Sequence, residues 1–396
     1  MARTATPRSS APARSPQSVR LRLGALLRAE STVFYLILGS TIALVVFGLI
    51  MVMDASSVTS HLDGDGFTGL FLRQVVFAAV GIPAMLIISR LPIVFWKKWG
   101  RRIFIVVAAM QLLVFVPGLG VENGGNTNWI HIFGVTWQPA ELIKIGLAIF
   151  LGLALPVSME RAGDSWRALS PLAAMLVVSA LVMLGGDLGT VFIFILISFG
   201  AMLFAGMSFR NLLIPIGIGV VGVASLAVVS SSRVARIVSF YTNACTTDAG
   251  DCWQPIHGSW AMASGGLFGV GFGNSRMKWS WLPAADNDYI FAIIGEELGL
   301  IGCVVLLALF VVLAFALLRV IKEAQDPFIR ITTGGILFWF IGQAFLNVAV
   351  VLNLVPVLGL PIPFVSSGGT SLLSSLAAAG VVLSFARHNE RTAVRR

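Results

Sequence analysis

The sequence predicts an all-α polytopic membrane protein of about ten transmembrane helices, with one large extracytoplasmic loop between the seventh and eighth. Hydrophobic residues make up 57% of the chain, charged ones only 11%, and the mean hydropathy is +0.92; a soluble fold would need far more polar cover. The apolar residues gather in runs of roughly 20, the length an α-helix needs to cross a hydrocarbon core. Lys and Arg, finally, concentrate in alternate connections, as retention of positive loops in the cytoplasm requires.

The predicted spans are 32–53, 72–89, 103–119, 138–155, 169–185, 188–206, 212–230, 289–320, 328–353 and 366–385. The eighth exceeds the bilayer thickness, so a break or tilt is expected in it. Most of the 27 Lys and Arg fall in the N-terminal tail, the connection around 90–102, 161–167, 210, 319–330 and the C-terminal tail, which puts both termini in the cytoplasm. The opposite side carries only Arg233, Arg236, Arg276 and Lys278, while Arg73 and Lys144 lie inside spans. The net charge of +9 is this topological signal together with attraction to anionic lipid, and nucleic acid is excluded as a partner. Residues 1–28 read as a disordered basic tail, 29–388 as the membrane domain and 389–396 as a second short tail. No cleavable signal peptide is expected, because a long polar segment precedes the first apolar run.

The loop at 231–287 is too long for a simple connector. It holds Cys245 and Cys252, for which an outward-facing compartment favours a disulfide over two free thiols. Cys303 lies in a span and reads as a packing residue. His61, His131, His257 and His388 are too dispersed to suggest a metal site.

Chemistry is sought among polar groups that an apolar chain does not carry idly. Asp286, Asp288, Glu296 and Glu297 cluster where the large loop enters the eighth span, at head-group depth. Gln138-Pro-Ala-Glu141-Leu-Ile-Lys144 opens the fourth span; the three-residue spacing puts Glu141 and Lys144 on one helix face. They either brace the bundle or line a wet cavity. Pro139 suits a first helical turn, and Asp187, in a very short connection, reads first as a helix N-cap. The glycine loop from Gly265 to Ser275 follows no strand and faces outward, so it is no nucleotide site; its backbone, with Arg276 and Lys278, could approach a pyrophosphate. The uncharged 356–371 loop holds three prolines and three glycines, which forbid a regular helix; such backbone is tolerated at membrane depth only when buried or lining a cavity.

Four segments stand out: Leu282-Pro-Ala-Ala-Asp-Asn-Asp288-Tyr-Ile-Phe with Gly295-Glu-Glu-Leu-Gly299, the Gln-Pro-Ala-Glu-Leu-Ile-Lys segment, the glycine loop, and Gly359-Leu-Pro-Ile-Pro-Phe-Val-Ser-Ser-Gly-Gly-Thr-Ser371. Together they resemble the SEDS family (shape, elongation, division and sporulation), polytopic peptidoglycan glycosyltransferases. The resemblance covers nearly everything after the tail and implies inverting polymerisation of lipid II into glycan, with release of undecaprenyl pyrophosphate. It places the essential aspartate on Asp288 and a cavity acid and base on Glu141 and Lys144. Further substrate contacts are expected at Arg73, Gln138, Asp187, Arg233 or Arg236, Arg276, Lys278, Glu296, Glu297, Ser366, Gly368, Gly369, Thr370 and Ser371. The chain departs from the family at Gly185-Gly186, where Gln-Pro is usual, at Cys252-Trp-Gln-Pro-Ile-His-Gly-Ser, and at Asn123-Gly-Gly-Asn-Thr-Asn-Trp129. The cysteine-bearing loop and basic tail resemble the division branch of actinobacterial type more than the elongation branch. The resemblance also implies a division septum location, a class B penicillin-binding transpeptidase and other division proteins as partners, and a divalent cation, Mg or Mn, but no organic cofactor. A lipid II flippase and a non-catalytic scaffold are the rival classes.

Overall fold

The computed structural model describes residues 30–62, 64, 66–123, 126–132, 134–163, 165–214, 217 and 252–394. The described residues form a helical membrane bundle. Its helices are α1 (Thr32–Ala55), α2 (Ser57–Leu62), α3 (Gly69–Ile88), α4 (Ile93–Leu112), α5 (Pro139–Ala162), α6 (Leu172–Leu184) and α7 (Leu188–Ala205), then α8 (Trp253–Gly265), α9 (Ile290–Glu323), α10 (Pro327–Val351) and α11 (Gly369–Val394). Seven of these are long and apolar enough to span a bilayer: α1, α3, α5, α7, α9, α10 and α11.

Most predicted spans match a helix, and the departures have local causes. The third predicted span is α4, which starts at Ile93 rather than at 103, so Lys97, Lys98, Arg101 and Arg102 lie on helix and not in the connection. Its basic half accounts for its absence from the apolar spans. The fifth prediction shrinks to Leu172–Leu184, thirteen residues, because Trp166–Leu169 forms a 3₁₀ turn instead. The tenth predicted span is α11, which begins at Gly369 and continues through most of the expected C-terminal tail. The tail at 1–28 and nearly all of the 212–230 span and the 231–251 part of the loop lie outside the described residues.

A three-stranded antiparallel sheet, β1 (Gly120–Asn123), β2 (Asn126–Ile132) and β3 (Val135–Trp137), stands between α4 and α5 where the sequence predicts only connection. Its alternating burial, with Asn128 and Ile130 inward, is the period-2 signal that the surrounding apolar runs mask. The sheet explains Gly185: Thr127 N donates to Gly185 O, and a Cβ there would lie 2.1 Å from Asn128 Oδ1.

The bundle packs α10 against α5, α7 and α9, α1 against α9, and α3 against α11. Lys97 pairs with Asp326 at 2.5 Å and Arg387 with Glu30 at 3.0 Å. Arg387 also donates to Ser89 O just before α4, so the start of α4, the α9–α10 turn and the two described ends of the chain share one face of the bundle, where the basic residues gather.

The long α9 is broken as expected. Gly299 takes φ 65°, ψ −162°, a conformation open only to glycine. The glycine loop crosses α9 there backbone to backbone: Leu300 N donates to Gly266 O, and a Cβ on Gly299 would lie 2.4 Å from Gly269 N. A Cβ on Gly269 would lie 2.0 Å from Glu297 O. These glycines are thus accounted for by close packing against α9.

Candidate active site

Four helices, α5, α7, α9 and α11, begin on the face opposite the basic cluster, and their first residues are tied together. Gln138 caps α5 with Pro139 in the first turn, as the sequence predicts. Its Nε2 donates to Asp187 Oδ2 at 2.9 Å and its backbone N to Thr370 Oγ1 at 3.3 Å. Asp187 is the N-cap of α7: Oδ1 accepts from Thr190 N at 2.8 Å and Oδ2 from Thr190 Oγ1 at 2.7 Å. One short residue thus caps its own helix and binds a neighbouring one.

Asp288 precedes α9 on a segment whose backbone is held carbonyl by carbonyl. Ser367 N donates to Asp286 O at 2.9 Å, Ser366 Oγ to Asn287 O at 2.8 Å, and Asn347 Nδ2 to Asp288 O at 2.7 Å. Trp253 Nε1 and Gln254 Nε2, from the start of α8, hold the carbonyls of Trp281 and Pro283 just upstream. The Asp288 carboxylate is partly buried, its Oδ1 enclosed without a hydrogen-bond partner among the described residues. Burial, reinforced by Asp187 and then Asp286, pushes its pKa up to about 7. Asp187 is also raised by burial, against the opposing pull of its two Thr190 bonds.

Glu141 and Lys144 meet inside the bundle, with Lys144 Nζ 2.6 Å from Glu141 Oε1. Gln343 Oε1 accepts from Lys144 at 3.1 Å, the Trp339 ring lies 5.4 Å from the ammonium, and Ser374 Oγ donates to Glu141 Oε2 at 3.3 Å. The pair joins α5, α10 and α11. Of the last loop, Gln74 clamps Ser366 O and Gly368 N from α3, and Gly369 packs so closely on Phe77 that a Cβ would lie 2.2 Å away. Thr370 and Ser371 open α11.

Glu296 and Glu297, in the first section of α9, form a second cluster with Lys278 of the preceding loop. Glu297 accepts from Gly273 N and Ser275 N, and Glu296 from Ser275 Oγ and Arg276 N. The amides that a phosphate-binding loop would offer are thus spent on the protein's own carboxylates. Lys278 lies 2.7 Å from Asp54 of α1 and 3.3 Å from Glu297, buried, so its charge is internal. Arg276 and Arg73 are exposed, while Arg233, Arg236 and Cys245 lie outside the described residues. Cys252 is disulfide-bonded, and Cys303 is free and buried.

Sequence reasoning missed Asp54, Gln343 and Asn347. Gln343 and Asn347 stand four apart in the apolar α10, on one face, a spacing that marks a polar stripe. Asp54 lay one residue past the predicted end of the first span.

Fold and site define a polytopic helical protein with a carboxylate set where helix N-termini meet. A model of the FtsW, RodA and SpoVE family, described as cell cycle proteins, matches residues 34–391, and the chain belongs to this family. It is 36% identical over 370 residues to the probable peptidoglycan glycosyltransferase FtsW of Mycobacterium tuberculosis, covering 93% of this chain and 70% of that one. Stage V sporulation protein E of Bacillus subtilis is 33% identical over 351 residues, covering 88% and 95%. Among solved structures, the rod shape determining protein RodA of Thermus thermophilus superposes with a TM-score of 0.67 at 24% identity, covering 92% and 99%. A chain from work on polymerization and crosslinking by a peptidoglycan synthase complex gives 0.73 at 22%, covering 91% and 99%. These two likenesses concern the fold.

Proposed function

We propose that this chain is a peptidoglycan glycosyltransferase that polymerises lipid II during cell division, with Asp288 as general base. The observation that carries the reading is the setting of Asp288: a carboxylate with an unpartnered buried oxygen, pushed up to about 7. A base is most effective when its pKa lies near the working pH. The acceptor's sugar 4-hydroxyl attacks the anomeric carbon of the lipid-linked donor, and its proton passes to Asp288. The bond to the pyrophosphate oxygen breaks with inversion, and undecaprenyl pyrophosphate leaves.

The leaving pyrophosphate needs positive charge. Lys144 and Lys278 are already paired with carboxylates. The N-termini of α5 and α11, tied together through Gln138 and Thr370, present the positive ends of their helix dipoles instead. Exposed Arg276 is the further cation of this reading. Among the described residues, no three His, Cys, Asp or Glu side chains gather to hold a metal ion. The described carboxylates thus do not form a site for a resident Mg or Mn; a divalent cation bound by pyrophosphate oxygens would offset their charge.

The division role rests on likeness to proteins named FtsW. Septal localisation, cytoplasmic termini and a class B penicillin-binding transpeptidase partner belong to the same proposal. The likeness to a synthase complex that couples polymerization and crosslinking supports that partner. The test is purified protein with partner and lipid II in detergent, where flipping has no meaning: glycan polymer supports the enzyme, and its absence from folded complex contradicts it.

A further inference from the structure

Asn347 donates from one buried amide to two carbonyls, Asp288 O at 2.7 Å and Leu360 O at 2.6 Å. An asparagine NH₂ has two protons, and both are used. Its Oδ1 has no partner among the described residues, so the side chain serves here as a donor only. The two carbonyls flank the carboxylate: Asp288 carries it, and Gly359, which precedes Leu360, has its Cβ position 3.6 Å from Asp288 Oδ2. One turn earlier on the same face, Gln343 Nε2 donates to Pro361 O at 2.6 Å. Of the three consecutive carbonyls at 286, 287 and 288, the first two are held by the serine loop and the last by α10. Tyr289, the N-cap of α9, has no side-chain cap bond to hold this end of the segment.

We propose that Asn347 is a positioning residue for the base: its amide clamps the Asp288 backbone to the 359–361 loop and so fixes the carboxylate against that loop. The proposal rests on the reading of Asp288 as general base. Without the clamp, Asp288 loses its fixed separation from Gly359. A misplacement of about 1 Å costs up to about a hundredfold in rate. The charged groups facing Asp288 are Asp187 at the start of α7 and Asp286 on its own segment, with Tyr289 adjoining; Glu141 and Lys144 of α5 act on Asp187. All are kept in the variants below, so a displaced acid limb of the pH–rate profile reports Asp288.

The experiment compares full-length wild type, Asn347→Leu and Asn347→Gln in detergent with lipid II, measuring kcat, KM, thermal melting and the acid limb. Asn347→Leu removes both donors at similar size. The expected result is a drop in kcat of about ten- to a hundredfold with KM changed less than about threefold, an acid limb moved to lower pH as Asp288 becomes less enclosed, and partial recovery in Asn347→Gln. A loss that merely follows the folded fraction, with the limb unmoved, overturns the proposal. If Asn347→Leu does not fold, the limb of Asn347→Gln decides by the same criterion. Asp288→Asn run alongside separates the two readings: polymer from Asp288→Asn refutes the base, whereas an inactive Asp288→Asn with an unmoved limb in the Asn347 variants refutes only the clamp.

Discussion

Lys144 Nζ lies 2.6 Å from Glu141 Oε1, and neither side chain reaches solvent. Removing one member leaves a buried charge uncompensated, which costs about 3–5 kcal/mol, whereas removing both is nearly neutral. Lys144→Met is expected to melt well below wild type, and Lys144→Met with Glu141→Leu to recover most of that loss. Because the pair acts on Asp187, which faces Asp288, the recovered double variant should still polymerise poorly. Thermal melting and a lipid II assay on the same preparations check both halves; a stable, fully active double variant would make the pair a brace and nothing more.

The crossing at Gly299 gives a second prediction. Any side chain there meets backbone, with Gly269 N 2.4 Å from the Cβ position, and must hold a glycine-only conformation that costs roughly 1–3 kcal/mol on its own. Gly299→Ala is expected to lower yield and melting temperature sharply. Gly39→Ala, where nothing lies within 4 Å, should not, and the pair is compared by size-exclusion profile and melt.

Legibility in the sequence followed the dominant local signal. Apolar runs located α1, α3, α5, α7, α9 and α10 well, because burial in lipid is what those residues encode, and the caps Gln138 and Asp187 were readable from their neighbours. The break in α9 was foreseen from length, but not its place, since Gly299 is one glycine among 41 until the crossing loop is seen. The glycine loop resembled an anion cradle; its amides turned out to hold Glu296 and Glu297. That contact spans about twenty residues of sequence and leaves no periodic trace. The i, i+4 spacing of Gln343 and Asn347 marks a polar face on α10, but what that face holds is not legible, because the two partners of Asn347 come from distant segments.

Lys278 joins Asp54 of α1 to Glu297 of α9. Lys278→Met leaves two buried carboxylates facing each other, with a loss of about 3–5 kcal/mol expected. The measurement is a melt at pH 7 and at pH 5: protonation of the orphaned carboxylates should restore part of the loss at the lower pH. An unchanged melt would show that the ion pairs are without structural weight.

Asp288 gives stability and activity opposite pH dependences. Its pKa is raised from 3.8 to about 7, so the folded state binds the proton that the unfolded chain has already released between those values. This group therefore favours folding at low pH, and its contribution is lost as pH rises from about 4 through about 7. Activity should rise across the upper part of that window as the base ionises. Asp288→Asn should accordingly melt above wild type at pH 8, with the difference shrinking toward pH 5; a wild-type advantage at pH 8 would contradict the raised value.

The most direct test is polymerisation by Asp288→Asn, an isosteric change that removes the base and keeps the fold. Purified wild type and variant, each with the same transpeptidase partner, are given lipid II in detergent at pH 7.5, and the glycan products are separated by gel. The account predicts polymer from wild type and none from a variant that elutes and melts as a folded protein. Polymer from Asp288→Asn near the wild-type rate would contradict it.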